Sequence, residues 1–273
     1  TSIMKVDTIL LDGKKDGQIE LPNIFETDVK KDVIRKAYIS LESHGFQKHS
    51  TKPTAGQDVV ADSNDPPTGR GISRVARMKG GGGGRQGQAG EVASTRGGRQ
   101  AHPPKAEKVI FKKINKQENK LALCSAISAT KSKELVIQRG HKIEKIESLP
   151  LIISDDIESV TQTSKMIKIL EDLNLSQDVQ RLENRKKRSG KVALRGRTKK
   201  IGKSVLFVLS DSKNVKKACN SIPGVDACSV NDLSVLDLAP GANLIRLTAY
   251  SKKAIAEISK IKSRHLELMV TMN

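Results

Sequence analysis

Aromatic side chains are scarce in this chain, which has no tryptophan, two tyrosines and four phenylalanines among its 273 residues. Segment 69–105 contains none of them. Proteins that read single-stranded nucleic acid usually stack the bases on aromatic platforms, so a reader of that kind is not expected. Recognition of a backbone or of a folded shape needs no such platform.

Cysteines and long apolar runs are also limited. Cys124, Cys219 and Cys228 form no CxxC pair and lie in apolar segments, which predicts buried thiols in a reducing compartment. No apolar run reaches the roughly 18 residues that a membrane-spanning helix needs. The opening residues, TSIMKVDTILLDG, lack the layout of a signal peptide. We therefore expect a cytoplasmic protein with no membrane partner.

Acidic residues are nearly missing from two strongly basic segments. Segment 69–105 has eight basic residues and one acid, and segment 185–203 has ten and no acid, so together they carry 17 of the 19 net positive charges. This concentration favours an acidic polymer as partner. The basic residues are Arg70, Arg74, Arg77, Lys79, Arg85, Arg96, Arg99 and Lys105 in the first segment, and Arg185, Lys186, Lys187, Arg188, Lys191, Arg195, Arg197, Lys199, Lys200 and Lys203 in the second.

Glycine accompanies arginine in segment 69–105, as in GRGISRVARMKGGGGGRQGQ. An arginine fork binds a phosphate through two parallel hydrogen bonds, and glycine lets one backbone pass close to another because it has no Cβ. This combination suits a chain that threads between phosphate-lined helices. We therefore predict binding to folded RNA through its backbone and shape.

Outside the basic segments, strand and helix patterns alternate. The predicted strands are VDTILLDG, GQIELP, ELVIQ, LPLIIS, SVLFVLS, VDACSV and NLIRLTAY. Helical periodicity lies between most of them, for example in TSKMIKILEDLNL. The alternation predicts an α/β fold with a mostly parallel sheet and helices on both of its faces.

Residues 44–107 interrupt this alternation, because no regular period survives across them. A loop of that length inside a compact domain is expected only where it has a function. We therefore expect residues 1–43 and 108–273 to form one globular domain, and residues 44–107 to form a long extended loop that penetrates RNA. Residues 185–203 are expected to be a basic RNA-binding insertion in the second part of the domain.

Two glycine motifs match the residue pattern of nucleotide-binding loops, but the secondary structure predicted around them does not fit such a loop. Gly82, Gly84 and Gly87 satisfy GxGxxG, but a dinucleotide-binding loop must follow a strand and open a helix. The GKS at 202–204 is similar to the end of a phosphate-binding P-loop, yet a strand pattern follows it where a helix is required. The sequence therefore predicts no nucleotide cofactor.

Signals for a metal or a catalytic site are weak. The five histidines are scattered, without the spacing of a metal site. Asp155, Asp156 and Glu158 follow the predicted strand LPLIIS; such carboxylates hold magnesium in some enzymes, but more often cap a helix or face solvent. We expect a protein without catalytic residues, cofactor or metal. The alternative is a nucleotide- or RNA-processing enzyme that uses these carboxylates.

Several stretches together resemble one known family. They are GRGISRVARMKGGGGGRQGQ, RGGRQAHPPKAEK, RGHKIE, SLPLIISDDIE, RGR, SVLFVLSD and DLAPGA. This set, which extends over essentially the whole chain, resembles the large-subunit ribosomal proteins of the universal L-four family in their archaeal and eukaryotic form. The chain ends soon after its last helix pattern, so the archaeal form is expected.

The resemblance implies a structural role without catalysis. Proteins of that family have a globular α/β domain on the surface of the large ribosomal subunit and an extension that penetrates ribosomal RNA. The tip of the extension helps to form the constriction of the nascent-peptide exit tunnel, beside the L-twenty-two family protein. The implied partners are large-subunit ribosomal RNA, neighbouring ribosomal proteins and the nascent peptide.

The resemblance also implies roles for particular residues. The arms of the extension correspond to Arg70, Arg74 and Arg77 on the way in and to Arg96, Arg99 and Lys105 on the way out. The residues implied at the tip are Met78, Gly80, Gly82, Gly84, Arg85, Gln86 and Gln88. Segment 185–203 matches a further RNA-binding segment of the family. Two questions stay open: which tip residue reaches the tunnel, and whether the chain also binds messenger RNA, as some bacterial members do.

Overall fold

A computed structural model describes residues 4–58, 61–79, 84–182, 187–199 and 202–261. The chain divides into two compact units. The first, called the body below, comprises Thr1–His44 and Lys112–Asn273. The second, called the insertion, comprises Gly45–Phe111.

The described part of the body is built on a six-stranded sheet. Numbered along the chain and given in spatial order, its strands are β2 (Lys15–Glu20), β1 (Lys5–Ile9), β5 (Leu151–Ile153), β8 (Thr248–Ser251), β6 (Leu206–Leu209) and β7 (Asp226–Ser229). β1 and β2 form an antiparallel hairpin, and the other neighbouring strands are parallel. The predicted mostly parallel sheet is confirmed.

Burial along the strands follows from this order. All residues of β5, β6 and β8 are buried, because parallel strands in the middle of a sheet are covered on both faces. The run LFVL of β6 meets this requirement with apolar side chains alone. In β1, by contrast, buried Val6 and Thr8 alternate with more exposed neighbours, as expected for a hairpin with one solvated face.

The described residues form nine α-helices, six of which pack into two groups. They are α1 (Lys31–Ser43), α2 (Lys116–Ala129), α3 (Lys133–Gln138), α4 (Thr163–Asp172), α5 (Ser176–Gln180), α6 (Lys191–Leu194), α7 (Lys213–Cys219), α8 (Val235–Leu238) and α9 (Lys252–Ile258). α1, α2 and α8 pack on one another, and α5 and α7 both pack on α4. Two such groups are what helices on the two faces of one sheet produce. None of the described helices combines the length and the hydrophobicity that crossing a bilayer requires.

The core joins the first helix group to the sheet. Tyr250 of β8 meets the ring of Phe25 edge-on, with centroids 5.8 Å apart, and shares a hydrogen bond of 3.2 Å with the Thr130 hydroxyl after α2. Cys124 and Cys219 are buried as predicted, whereas Cys228 is only half-buried. Burial raises the pKa of the Cys219 thiol to about 12. That thiol is therefore a small core side chain, not a reactive nucleophile.

The prediction of a strand at ELVIQ is wrong. These residues lie in helix α3, in which the Val136 N–H donates to the Ser132 carbonyl at 3.3 Å. Val136 is fully buried, whereas its neighbour Ile137 is 53% exposed. An apolar run this short fits either the strand or the helix period, and here the helix buries one of its residues. The predicted strand NLIRLTAY is shorter than expected, because only its last part belongs to β8.

The insertion leaves and rejoins the body at neighbouring points. In α1, the Ser40 hydroxyl donates to the Lys112 carbonyl at 2.6 Å, and the Lys112 N–H donates to the Ser43 hydroxyl oxygen at 2.9 Å. These bonds close the body across the base of the insertion. An excursion that starts and ends at one place leaves the surrounding fold continuous.

One arginine lies wholly inside the body. Arg246 is 1% exposed. Its guanidinium donates to the carbonyl oxygens of Ser204, Val205 and Gly224 at 2.6–3.1 Å and lies 2.7 Å from the Asp226 carboxylate. It thereby connects the residues before β8 to those before β6 and β7.

Replacing this arginine should destabilise the body strongly. For Arg246→Ala we expect a loss of about 3–5 kcal/mol in the free energy of unfolding, because buried acceptors lose their partner. The matched control is Arg195→Ala, at an exposed arginine with no side-chain partner among the described residues, for which we expect a change within about 0.5 kcal/mol. Urea unfolding measures both, and equal losses would contradict the internal role of Arg246.

Candidate RNA interface

The insertion has almost no core of its own. Among its described residues only Gly90 is buried, and Ile72 and Val109 are 63% and 79% exposed. The two-residue strands β3 (Ala61–Asp62) and β4 (Arg77–Met78) pair with each other. Most of its other backbone hydrogen bonds close turns. A unit of 67 residues that buries so little lacks the dominant stabilising contribution to folding.

Among the residues implied at the tip, those that the structure describes belong to a hairpin loop. Its base is closed by the Met78 N–H, which donates to the Gln88 carbonyl at 2.9 Å, and by the Gly87 N–H, which donates to the Met78 carbonyl at 3.0 Å. Met78 and Gln88 therefore lie at the base of the loop. The implied tip residues beyond that base are Gly84, Arg85 and Gln86, all exposed. Gly80 and Gly82 lie outside the described residues.

Close backbone crossings account for two glycines of the insertion. Gly56 has a φ of +82°, and a Cβ at this position would lie 2.3 Å from the Gly98 carbonyl oxygen. A Cβ on Gly90 would lie 2.9 Å from side-chain carbons of Ala61 and Met78. Larger residues would push these chain segments apart. Glycine thus lets the arms of the insertion lie against each other.

Half of the basic side chains in segment 69–105 bind within the insertion. Arg74, Arg77 and Arg85 donate to carbonyl oxygens of the insertion's own backbone at 3.3, 3.2 and 2.7 Å. Lys79 pairs with the Asp62 carboxylate at 2.6 Å. The bonds of these four side chains stabilise the turns of the insertion in which the residues lie.

The other half are exposed and have no side-chain hydrogen bond or ion pair to any described residue. They are Arg70, Arg96, Arg99 and Lys105. In the isolated chain only water and counterions are left to neutralise them. A polyanion that replaces those counterions gains their release, so these four side chains are the strongest candidates for contact with RNA.

The described residues 187–199 of the second basic segment form an exposed loop on the body. The Arg188 N–H donates to the Thr198 carbonyl at 2.8 Å and closes the loop, and α6 lies within it. The basic residues of the described loop are Lys187, Arg188, Lys191, Arg195, Arg197 and Lys199, all exposed except the half-buried Arg188. Lys203, just before β6, pairs with Asp226 at 2.7 Å. Arg185, Lys186 and Lys200 lie outside the described residues.

The three carboxylates of the enzyme alternative all accept hydrogen bonds within the body. Asp155 accepts from a main-chain N–H of α9 at 2.9 Å, and Asp156 accepts from the preceding serine at 3.2 Å. Glu158 accepts from the Ser210 N–H after β6 and from the Ser251 hydroxyl of β8, each at 3.0 Å. Within the described ranges, no three His, Cys, Asp or Glu side chains are grouped as metal ligands would be. These carboxylates serve the fold.

The nucleotide-like motifs also lack the structural context that such loops need. Gly84 and Gly87 lie in the hairpin loop, and the described chain that follows passes through turns before α2 begins. The GKS at 202–204 leads directly into strand β6. Neither glycine motif opens a helix, which is the element that would hold a pyrophosphate.

A basic pocket on the body was not predicted from the sequence patterns. It has a volume of about 650 Å³. Its cationic lining residues are Lys31 and Arg35 of α1, Arg139 and Arg181 at the ends of α3 and α5, and Lys203 before β6. Asp32 is the one acid among the described residues that line it. Of these, only Lys203 belongs to a basic segment that the sequence singled out.

Comparison with known proteins decides the family. The sequence profile of the Ribosomal protein L4/L1 family matches residues 19–261, a range that includes the insertion and both basic segments. This chain belongs to the Ribosomal protein L4/L1 family.

Similar proteins within that family are archaeal. The large ribosomal subunit protein uL4 of Methanococcus aeolicus is 41% identical over 258 residues, which cover 94% of this chain and 99% of the relative. Its counterpart from Sulfurisphaera tokodaii is 41% identical over 260 residues, covering 94% and 95% of the two chains. The protein from Natronomonas pharaonis is 38% identical over 258 residues, covering 94% and 100%.

Family membership confirms the resemblance and excludes the enzyme alternative. Proteins of the L4/L1 family are structural, so this chain is not an enzyme. The archaeal sources of the relatives agree with the archaeal form expected from the sequence.

Beside the basic pocket of this L4/L1-family body lies a buried polar network. The fully buried Asp178 carboxylate accepts from His141 Nδ1 at 2.9 Å, from the Ser204 hydroxyl at 2.5 Å and from Arg181 Nε at 3.0 Å. The Leu247 N–H donates to His141 Nε2 at 3.4 Å. These partners assign the proton of a neutral His141 to Nδ1.

The pKa shifts in this network agree with a neutral histidine and a charged carboxylate. Burial lowers the pKa of His141, and the hydrogen bond and charge of Asp178 offset this only in part. Burial would raise the pKa of Asp178, but the hydrogen bonds from His141, Ser204 and Arg181 outweigh it. The pKa of Asp178 therefore lies well below its ordinary value. The network thus fixes the Arg181 guanidinium at the wall of the pocket.

This network should make the body sensitive to acid. Because the folded-state pKa of Asp178 is lowered, its stabilising contribution is present above the unfolded pKa of about 4 and is lost as the pH falls below it. The lowered pKa of His141 acts in the same direction, since the unfolded histidine takes up a proton first, below about pH 6.5.

Urea unfolding of the parent chain and of Asp178→Asn between pH 8 and pH 3 tests the sign of this effect. The difference in unfolding free energy between the two should be largest near neutral pH and should shrink below about pH 4. The exposed Asp12→Asn serves as control. A difference for Asp178→Asn that is the same at pH 7 and pH 3 would contradict the assignment.

Proposed function

We propose that this chain binds and organises large-subunit ribosomal RNA through its insertion and through basic segment 185–203. Membership of the L4/L1 family makes the chain a structural constituent of the large ribosomal subunit, and hence a cytoplasmic protein. In that place its partners are ribosomal RNA and neighbouring ribosomal proteins.

The observation that supports this proposal most is the combination of exposed charge and missing core in the insertion. Arg70, Arg96, Arg99 and Lys105 have no side-chain partner among the described residues, and only Gly90 is buried there. Against RNA, the cations displace condensed counterions, and the exposed backbone gains phosphate and sugar partners. RNA therefore supplies both kinds of contact that the insertion lacks.

The arginines that bind backbone carbonyl oxygens within the insertion are also compatible with this proposal. A guanidinium has five N–H donors, so the bonds that Arg77 and Arg85 make to carbonyl oxygens leave other donors free for phosphate. Their internal bonds also hold the two arms at a set spacing. Less conformational freedom then remains to be lost when RNA binds.

We extend the proposal to the hairpin loop as the tip at the constriction of the nascent-peptide exit tunnel. The residues proposed for the tip are Met78, Gly80, Gly82, Gly84, Arg85, Gln86 and Gln88. The exposure of residues 84–86 beyond the base at Met78 and Gln88 supports this. In that position the loop would meet the nascent peptide and a protein of the L-twenty-two family.

The loop of the second basic segment is proposed as a separate RNA contact. Residues 187–199 contain no acid, and nearly all of their basic side chains are exposed. The backbone bond between Arg188 and Thr198 presents these side chains from one closed loop. Arg185, Lys186, Lys200 and Lys203 belong to the proposal by their place in the segment.

The salt dependence of RNA binding tests the role of the unpaired cations. In the triple variant Arg70→Gln/Arg96→Gln/Arg99→Gln, the slope of log K against log salt should be smaller by roughly 2–3 than in the parent, because each phosphate contact contributes about 0.9. The probe is a folded archaeal large-subunit rRNA transcript, and binding is measured between about 50 and 200 mM salt.

A matched control removes the same charge from the body. Lys165, Lys168 and Lys216 are exposed and have no side-chain partner among the described residues, so changing all three to Gln should leave the slope near that of the parent. Equal slopes for the two triple variants would contradict the proposed role of the insertion. A parent chain whose binding is indifferent to salt would contradict RNA binding as a whole.

A further inference from the structure

The basic pocket on the body is a further candidate site, and four of its five cationic lining residues lie outside the two basic segments. Its guanidinium groups come from residues far apart in the chain. Arg35 lies on α1, Arg139 follows α3 and Arg181 follows α5. The packing of these helices on the sheet brings the three charges to one cavity.

The positive charge in the pocket is only partly neutralised by the protein. Lys31 and Arg35 are exposed and have no side-chain partner among the described residues. Arg139 donates to the carbonyl oxygens of Asn243 at 2.5 Å and Pro240 at 3.0 Å, which carry no net charge. Burial lowers the pKa of Arg139, and the neighbouring charges of Arg246 and Arg181 lower it further. An anion in the cavity would relieve this repulsion between like charges.

Two of the guanidinium groups are held in place before any ligand arrives. Arg139 is fixed by the two carbonyl oxygens. Arg181 is fixed by Asp178 at 3.0 Å and by the Lys203 carbonyl at 3.2 Å. Preorganised forks lose little conformational entropy when they bind a phosphate. The pocket thus has the charge and the rigidity of an oxyanion site.

Its shape selects the kind of phosphate that can enter. Arg139 and Arg181 are half-buried in a cavity of about 650 Å³, which is in the size range of small-molecule sites. A regular duplex presents a convex row of phosphates and reaches only the rim residues, Lys31 and Arg35. A nucleotide that leaves the stack, as in a bulge or loop, can place its phosphate inside.

We propose that this pocket binds a backbone phosphate of an unpaired RNA nucleotide, as a third RNA contact that lies on the body. The inference rests on the proposed RNA-binding function and adds a site to it. Lys203 supports RNA over an acidic peptide as the occupant, since this last residue of the second basic segment also lines the pocket. RNA bound along that segment would thus lie beside the cavity.

The test compares two double variants of the full chain. Lys31→Gln/Arg35→Gln removes two charges from the pocket without breaking a described side-chain bond. Lys165→Gln/Lys168→Gln removes two charges from exposed positions on α4. The probes are an RNA hairpin with a three-nucleotide bulge, the same hairpin fully paired, and hexaglutamate. Urea unfolding confirms that both variants keep the stability of the parent.

The pocket variant should bind the bulged hairpin with a salt slope smaller by roughly 0.7–0.9 than the parent, because one phosphate contact is lost. The α4 variant should match the parent, and the parent should prefer the bulged hairpin to the paired one. As a second readout, inorganic phosphate should shift the side-chain N–H resonances of Arg139 and Arg181.

Three results would overturn the proposal. The first is an equal salt slope for the pocket and α4 variants, and the second is that the parent shows no preference for the bulged hairpin. The third is that hexaglutamate displaces the bulged hairpin from the parent but not from the pocket variant. That result would assign the site to an acidic peptide. Each of these results can occur while the triple variant Arg70→Gln/Arg96→Gln/Arg99→Gln still shows a smaller slope of log K against log salt for RNA binding than the parent. Failure of the pocket proposal is therefore distinguishable from failure of the proposed function.

Discussion

A protein segment that buries almost nothing must find its stabilising contacts outside itself, and this constraint governs how the chain is built. The body buries strands β5, β6 and β8 completely. The insertion has one buried residue, Gly90, among those described. Its exposed backbone and unpaired cations need a surface that offers acceptors and negative charge together. Folded RNA offers both, which supports the proposal that the insertion of this ribosomal protein binds RNA.

Arginine has three kinds of surroundings in this structure, and each follows from the acceptors within its reach. Arg246 binds buried carbonyl oxygens and Asp226, and so connects neighbouring segments inside the body. Arg77 and Arg85 brace turns of the insertion. Arg70 and Arg99 have no side-chain acceptor among the described residues, and we propose that they bind RNA. A count of positive charge does not distinguish these roles, whereas the geometry does.

Local patterns in the sequence predicted those strands and helices whose buried positions follow a regular period along the chain. The run SVLFVLS became the buried strand β6, while ELVIQ did not become a strand, because an apolar run that short fits two periods. The basic pocket could not be predicted in this way, since Arg35, Arg139 and Arg181 meet only after the helices pack on the sheet. One signal was present: RGHKIE and DLAPGA both contributed to the family resemblance. The Arg139 that opens the first donates to the Pro240 carbonyl in the second.

The dependence of the insertion on RNA is tested most directly by amide hydrogen exchange on the free chain and on its complex with folded large-subunit rRNA. In the free chain, amides of β6 and β8 should be strongly protected, and those of the described insertion should exchange with little protection, because its hydrogen bonds close exposed turns. Binding to the RNA should slow exchange in the insertion and leave the central strands unchanged. An insertion that is as protected in the free chain as in the complex would contradict the account.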